Sequence, residues 1–521
     1  MLTENALGEA RSAVSLTLTD GFDRVVRTAG DEVALVSGTR TLTYRELNER
    51  AERVARSLIA RKVAPGDRVG VYLRRSPDLY AVMLGILKAG ACVVPVNPDH
   101  PAPFVDRVLA ESAPTAVVHD TEAPGGAARI AGAPLWVRAD ELTATAEPQD
   151  DIPLPPVSDP EGAAFLMFTS GSTGRPKGVC IAHRGLARLG PYSGDLRMGP
   201  GDCLVQSAAF SFAASTIEIW LAFLHGARLV VMPHGLPSLP ALKDAIVRHG
   251  VTALSLPCGL FNLLVDEEPE CLGGVRLILL SGDFPSPQHL ARAARATGAV
   301  IYNGYGCTEN SSITALYPVR SADDVTREER VPVGRPLPGV TLEVLDDALR
   351  PCPPGAPGQL AVGGLGLAQG YLDEPGLTAR KFVTGPDGRP RYLTGDLART
   401  TGDGDRRPHR PRRQHGEDPR LPRRTHRGHP RSARAGRGPR RRGQGVPRGR
   451  RRQVPDRLLH HLRRTAARRR RPGTPTGRPT AVLHGPLLFP PPRRPAEERQ
   501  RKSRPVRPQG PLGDSGQAEE R

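Results

Sequence analysis

The chain has 521 residues, enough for roughly two to four domains with cores that fold unaided. Its formal net charge of +19 is unevenly spread: Arg406 to Arg521 holds 34 Arg and one Lys against eight acids, whereas Met1 to Asp405 holds 38 basic and 46 acidic residues. That split excludes a uniformly basic nucleic-acid binder and describes an acidic globular region followed by a very basic segment.

In chain order, Thr43-Tyr-Arg-Glu46 is a capping box, in which the threonine oxygen and the glutamate each satisfy a free amide at a helix start. Leu47, Ala51, Val54, Ala55 and Leu58 then repeat at helical spacing. Arg68 to Leu73 reads as a strand. Ser76-Pro77 opens a helix with proline at its first position, and Val82, Ile86 and Leu87 form its buried stripe. Ala91 to Val96 is again a strand. Later, strands are expected at 228–232, 252–256, 275–280 and 299–302, separated by helices such as 240–249 and 287–296. Strands alternating with helices predict an α/β fold with largely parallel sheets covered on both faces.

No run approaches the roughly 20 apolar residues of a membrane span, and the N-terminus lacks a basic stretch leading into an apolar one. The seven cysteines are scattered without a CxxC pair, as suits reduced thiols. A cytoplasmic protein without membrane contact is expected.

The chemistry concentrates after Phe165-Leu-Met-Phe168. This strand runs into Thr169-Ser-Gly-Ser-Thr-Gly-Arg-Pro-Lys-Gly178 and then Val179-Cys-Ile181. Small residues and hydroxyls let backbone amides approach an anion closely, and Lys177 adds a point charge. A plain Ser/Gly hairpin with a solvated lysine is the alternative. The string is not a Walker A loop, because no Gly-Lys-Ser/Thr opens a helix.

The string resembles the signature loop of the adenylate-forming (AMP-binding) superfamily, which includes non-ribosomal peptide synthetase adenylation domains, acyl-CoA synthetases and luciferases. Four further strings resemble that family's motifs in the same order. They are Leu87-Lys-Ala-Gly90 through Pro95, Pro98 and Pro101; Asn303-Gly-Tyr-Gly-Cys-Thr-Glu309, with Cys307 where proline is usual; Gly358 to Gly364 with Ala368-Gln-Gly-Tyr371; and Tyr392-Leu-Thr-Gly-Asp-Leu397. Together they span about residues 40 to 400, and the wording of Asn303 to Glu309 and of Ala368 to Tyr371 leans toward the peptide synthetases.

The resemblance implies a large N-terminal domain over 1–395 with stacked mixed and parallel sheets and a small β-rich part at about 330–395, a hinge at 396–405, and a basic segment over 406–521. It implies ATP and Mg²⁺ as cofactors. Thr169, Ser170, Gly171, Ser172, Thr173, Gly174 and Lys177 would hold the outer phosphates. Gly304, Tyr305 and Gly306 would lie against adenine, and Asp396 would take the ribose hydroxyls. Thr308 would touch the α-phosphate and Glu309 would help hold Mg²⁺, with Lys177, Thr308 and Glu309 as the catalytic set. Alone, Tyr305 reads equally as a core tyrosine, Glu309 as a surface acid and Asp396 as a turn aspartate. The implied reaction is attack of a carboxylate on the α-phosphorus of ATP, giving an acyl-adenylate and pyrophosphate.

Ser211 to Glu218 aligns with the family's acid-binding segment, and Ala213 falls where amino-acid-activating members carry an aspartate for the substrate's ammonium. Ala213, Ala214, Ile217, Gly259 and Leu279 would line the pocket. Ser281, Gly304, Ser312 and Ile313 would complete it. That set is small and uncharged, which points to an aryl, hydroxy or β-amino acid; Asp283 is the nearby acid whose place the sequence does not fix.

From Arg406 to Arg521 the sequence is Arg, Pro, Gly and His with little aliphatic periodicity, and 19 of these residues are proline. Such a segment is expected to be disordered. The family follows here with a lid domain bearing a hinge aspartate and a catalytic lysine, and neither motif is present. Read one base forward, Arg410 to Arg424 can encode Gly-Arg-Val-Asp-Ser-Met-Val-Lys-Ile-Arg-Gly-Tyr-Arg-Val-Glu, and Arg499 to Arg504 can encode Gly-Asn-Gly-Lys-Val-Asp. Both missing motifs return in one frame, so a single-base frameshift near Asp405 is expected, leaving a chain impaired in adenylation. No carrier domain is visible, so a phosphopantetheine acceptor would be a carrier protein in trans; free coenzyme A, as in an acyl-CoA synthetase, is the alternative. A different reading, nucleic-acid binding through the arginines, rests on charge alone: the segment has one aromatic, Phe489, and no stacking platform, so only nonspecific binding is expected.

Overall fold

The computed structural model describes residues 17–121, 134–143, 151–157, 159–170, 176–326, 328, 330–402 and 404–408. The basic segment from 409 onward lies outside them.

The local signals read from the sequence set the first elements. Helix Tyr44–Ala60 begins at Thr43, whose hydroxyl accepts the Glu46 amide at 3.2 Å while Glu46 accepts the Thr43 amide at 2.8 Å. Helix Pro77–Lys88 departs from the expected single stripe, since every residue but Asp78 is buried. It packs on Tyr44–Ala60 and on strands Arg68–Tyr72 and Cys92–Pro95, so it has no face left for water.

Three sheets organise the chain. The seven-stranded sheet runs Gly370–Tyr371, Pro176–Ala182, Ala163–Ser170, Cys92–Pro95, Arg68–Tyr72, Ala116–His119, Leu135–Arg138. The nine-stranded sheet runs Arg335–Pro336, Ala315–Val319, Val300–Tyr305, Leu277–Ser281, Ala253–Pro257, Cys203–Gln206, Arg228–Val231, Val33–Ser37, Arg40–Thr43. Their centres are parallel; antiparallel strands close both edges of the nine-stranded sheet and one edge of the seven-stranded sheet, whose other edge strand, Leu135–Arg138, pairs parallel with Ala116–His119. The expectation of largely parallel sheets is thus met in the middle and modified at those three rims.

Residues along each central strand alternate between two cores. Leu35, Leu204, Leu229, Val71 and Val93 join one cluster together with helices Leu18–Ala29, Tyr44–Ala60, Pro77–Lys88 and Ala213–Phe223. Val36, Val205 and Val230 join a second with helices Leu239–His249, Cys258–Glu267 and Pro287–Ala296. Tyr72 and Val94 join a third with helix Ala102–Ser112. Period-two side chains in strands covered on both faces produce this layering.

The third sheet is antiparallel: Val340–Leu345, Pro357–Gly364, Pro390–Thr400, Phe382–Thr384, with Arg406–Pro408 beside Pro390–Thr400. Two readings change here. Thr394-Gly395-Asp396, a turn by composition, is a bulge inside one long strand: Leu393 and Leu397 pair with Ala361 and Gln359, so the residues between them bow out. Gly395 takes φ +88°, which a side chain would disfavour. Arg406–Pro408, grouped with the basic segment from sequence, belong to the sheet. The turn closes through Thr401 N to Asp405 O at 2.8 Å, and Arg407 donates to both Glu328 oxygens at 2.6 and 2.8 Å.

Candidate functional site

Thr169 and Lys177 face each other across the antiparallel pair Ala163–Ser170 and Pro176–Ala182. The Ser170 side chain and Gly171, Ser172, Thr173 and Gly174, expected at the phosphates, lie outside the described residues. Lys177 Nζ stands 5.8 Å from the centroid of the Tyr371 ring.

Strand Val300–Tyr305 ends at the carboxyl edge of the nine-stranded sheet, the edge where open α/β sheets receive ligands. Tyr305 Oη donates to Asp396 Oδ2 at 2.7 Å, joining residues from two sheets. Burial first, and the Asp396 carboxylate second, hold the Tyr305 phenol above its ordinary range, so it stays a donor. The strand continues through Gly306 and Cys307 into one turn, Thr308–Asn310. A Cβ on Gly306 would meet Ser312 O at 1.6 Å, so the chain folds back here only with glycine. Ser311 and Ser312 follow with φ +52° and +76°, consecutive left-handed conformations that side chains rarely adopt.

Arg188 lies beneath that strained pair. It is buried, and its guanidinium donates to the carbonyls of Ile313 and, at 3.3 and 3.5 Å, of Asn310 and Ser311. No carboxylate accompanies it among the described contacts, and burial lowers its pKa to about 10. Glu309 Oε1 accepts from Tyr371 Oη at 2.6 Å and from Tyr392 Oη at 3.0 Å. Burial, with the Glu309 carboxylate beside them, holds both phenols above their usual range.

The residues expected at the acid pocket are arranged differently. At the start of helix Ala213–Phe223, the Ala213 carbonyl accepts from Thr216 Oγ1 at 2.6 Å and from Ser312 Oγ, and the two hydroxyl oxygens are 2.9 Å apart. A Cβ on Gly304 would meet Leu279 Cδ1 at 2.7 Å and Ile313 Cδ1 at 2.8 Å, so these three share one wall. Ala214 and the buried Ile217 follow Ala213 on the helix. Gly259 and Ser281 are linked through Cys258, whose thiol donates to the carbonyls of Ser281 at 3.7 Å and Asp283 at 3.1 Å.

The two nearby acids sit in different surroundings. Asp283 is exposed and its Oδ1 takes the Phe284 amide at 2.7 Å. Glu218 is buried and receives the Ser207 and Ala208 amides and the Ser207 hydroxyl, and burial pushes its pKa up to about 8.

The structure therefore joins Tyr305 to Asp396, Ala213 to Ser312, and Leu279 to Gly304 and Ile313. Reasoning from sequence assigned no role to Tyr371 and Tyr392, although both stood in quoted strings, nor to Thr216 or Arg188. The one signal for Arg188 was a charge inside the apolar run Leu186-Ala187-Arg188-Leu189.

The donor set suits magnesium. Hard cations take oxygen ligands, and Mg²⁺ commonly uses one or two carboxylates plus substrate phosphates. Glu309 supplies one carboxylate whose Oε2 has no hydrogen-bond donor among the described residues. No group of three or more His, Cys, Asp or Glu side chains that could hold an ion by itself occurs among those residues.

The model of the family described as AMP-binding enzyme matches residues 22–372. A linear gramicidin synthase of Brevibacillus parabrevis is 40% identical over 384 residues, which is 72% of this chain and 5% of that protein. The chain spans 5–8% of the length of the gramicidin synthases it matches. Among solved structures, the Klebsiella oxytoca NpsA N-terminal subdomain in complex with 3-hydroxybenzoyl-AMSN is 39% identical with a TM-score of 0.70, covering 75% of this chain and 99% of that one. The same subdomain is known with 3-hydroxyanthranilyl-AMSN and anthranilyl-AMSN. An artificially fused adenylation–PCP di-domain, NpsA-ThdA from the same organism, is 38% identical with a TM-score of 0.69, covering 76% of this chain and 79% of that one. With that match across two thirds of its length and that likeness in sequence and fold, the chain belongs to the AMP-binding enzyme family, on its peptide-synthetase adenylation branch.

Proposed function

We propose that this chain binds MgATP together with a carboxylic acid lacking an α-ammonium, an aryl acid first of all, and activates the acid as an acyl-adenylate. The acceptor that follows is the phosphopantetheine thiol of a separate carrier protein. One observation supports the substrate reading: Ala213, Leu279, Gly304 and Ile313, read as the acid side, carry no charge, Glu218 is buried among the Ser207 and Ala208 donors, and Asp283 is exposed. A buried ammonium with no partner is costly, so this pocket selects against ordinary α-amino acids. The aryl ligands named for the NpsA subdomain agree with that preference.

In this reading a carboxylate oxygen forms a bond to the α-phosphorus, and the bond from that phosphorus to the bridging oxygen breaks. Pyrophosphate leaves with the electron pair. Little covalent work falls to the protein, and positioning and charge neutralisation dominate. Tyr305 offers its ring to adenine and Asp396 accepts from the ribose hydroxyls. Lys177 neutralises the outer phosphates, and Thr308 donates to the α-phosphate. Magnesium, held in part by Glu309, supplies charge neutralisation on the phosphates when bound.

The basic segment carries neither the hinge aspartate nor the catalytic lysine in the frame given, so adenylation by this chain is slow. Losing one electrostatic donor of this kind costs about 10²–10³ in rate. Restoring the shifted frame is expected to recover turnover, and resequencing the gene across codons 395 to 430 checks the shift.

The function is tested by calorimetry on the full chain. MgATP and 3-hydroxybenzoyl-AMSN are expected to bind, the latter more tightly than phenylalanyl-AMSN. Absence of heat with MgATP defeats the enzyme reading, and preference for the phenylalanyl compound defeats the substrate reading.

A further inference from the structure

Two tyrosines from separate strands end on one oxygen of Glu309. Tyr371 Oη lies 2.6 Å and Tyr392 Oη 3.0 Å from Oε1, and the two phenol oxygens are 3.3 Å apart. Each phenol has one proton to give. With both protons on Oε1, that oxygen is occupied and turning the carboxylate would break both hydrogen bonds. Oε2 is the oxygen left for a cation.

The phenols are themselves fixed. Tyr371 and Tyr392 are 8% and 7% exposed. Phe382 packs against both, its ring centroid 5.6 Å from Tyr371 and 5.0 Å from Tyr392. Tyr371 pairs with Val179, two residues past Lys177 on the strand that follows the glycine-rich string, and Tyr392 lies on the strand that carries Asp396. The Tyr371 ring also has Lys177 Nζ 5.8 Å from its centroid. One side chain thus touches both the lysine and the glutamate that are read as serving the triphosphate.

We propose that Tyr371 and Tyr392 are positioning residues that fix the Glu309 carboxylate for magnesium, with Tyr371 also setting the separation between that carboxylate and Lys177. This rests on the reading of Glu309 as a magnesium ligand. A carboxylate held by hydrogen bonds loses less freedom when it takes a cation, and removing such outer partners commonly costs about 10–100-fold in metal affinity. Loss of the two hydroxyls acts on the metal, because it is the Tyr371 ring and not its hydroxyl that faces Lys177.

The test compares the affinity of the full chain for ATP in Mg²⁺ with its affinity in EDTA, by calorimetry. In the unaltered chain Mg²⁺ strengthens ATP binding. The double variant Tyr371→Phe/Tyr392→Phe keeps both rings, so its affinity in EDTA is expected to stay within about twofold while the gain from Mg²⁺ falls about tenfold. Tyr371→Leu, which also removes the ring, is expected to lower affinity in EDTA as well. Glu309→Gln separates the two claims. If it leaves the Mg²⁺ gain intact, Glu309 is not the ligand and the functional reading of that residue fails. If it abolishes the gain while the double Phe variant retains it, the tyrosine proposal alone is overturned. Equal losses in Mg²⁺ and EDTA for the double variant mark a merely structural role and overturn it too. If the double variant does not fold, Tyr392→Phe alone reads the same ratio at a smaller change, and an unchanged ratio counts against the proposal.

Discussion

On the side proposed for the nucleotide, phenols and carboxylates hold one another: Tyr305 with Asp396 at 2.7 Å, and Tyr371 and Tyr392 with Glu309 at 2.6 and 3.0 Å. On the side proposed for the acid, two hydroxyls turn inward onto the Ala213 carbonyl, and the wall is Leu279, Gly304 and Ile313. In the proposed function the contrast follows from what each side must recognise. A nucleotide presents the same oxygens every time, so directional donors and acceptors are worth fixing. An acid without a charged amine presents an outline, so volume and the absence of charge decide. Arg188 stands between the two, since the carbonyls it holds belong to the loop that leads from Glu309 to Ser312 and Ile313.

The contrast can be broken at four places. The largest effect is expected in the surrounding fold, where buried His183 accepts the Leu18 amide at Nδ1 at 3.3 Å and burial lowers its pKa to about 4. The unfolded chain takes up this proton near pH 6.5, so between pH 6.5 and 4 it binds more protons than the folded one, and stability falls as pH falls through that window. The shift amounts to about 3 kcal/mol by pH 4. Urea unfolding across pH checks it, and His183→Gln should flatten this part of the slope.

Arg188→Met comes next. It leaves loop carbonyls without a donor at a cost of about 2 kcal/mol. Because the loop serves both sides, binding of MgATP and of 3-hydroxybenzoyl-AMSN should both weaken, whereas loss of only one would place Arg188 on that side alone. Lys177→Ala should weaken MgATP binding about tenfold, as expected for one charge-assisted contact, and leave the Tm unchanged. Ala213→Asp should be the mildest, weakening 3-hydroxybenzoyl-AMSN about fivefold by placing a carboxylate against the aryl group, with MgATP binding unaffected. A phenylalanyl analogue should gain relative to the aryl one, and parity between wild type and variant would show that position 213 does not face the acid.

Much of this was legible from local sequence. The Thr43 box, the strand-helix alternation and the motif strings follow from neighbours in the chain, and they locate the large helices and strands to within a few residues. What escaped depends on distant partners. Tyr305 and Asp396 lie 91 positions apart, and only the meeting of two sheets shows that one donates to the other. The Thr-Gly-Asp run has turn chemistry, but pairing of Leu393 and Leu397 with the neighbouring strand makes it a bulge. Helix Pro77–Lys88 carries apolar residues on several faces, and its composition cannot reveal that a sheet and a helix cover it on opposite sides. Arg188 looks misplaced in an apolar run until the carbonyls of a loop more than 120 residues away are seen around it.

The strand Pro390–Thr400 carries Asp396, proposed as the ribose acid, near its middle. Its far end is fastened by Arg406–Pro408, through Ala398, Arg399 and Thr400. The ladder thereby connects Arg406–Pro408 to the bowed-out Gly395 and Asp396, which Thr394 anchors through the Asp396 amide and the Leu360 carbonyl. In the proposed function, the hold on the ribose thus depends on a strand pairing that does not itself touch the nucleotide.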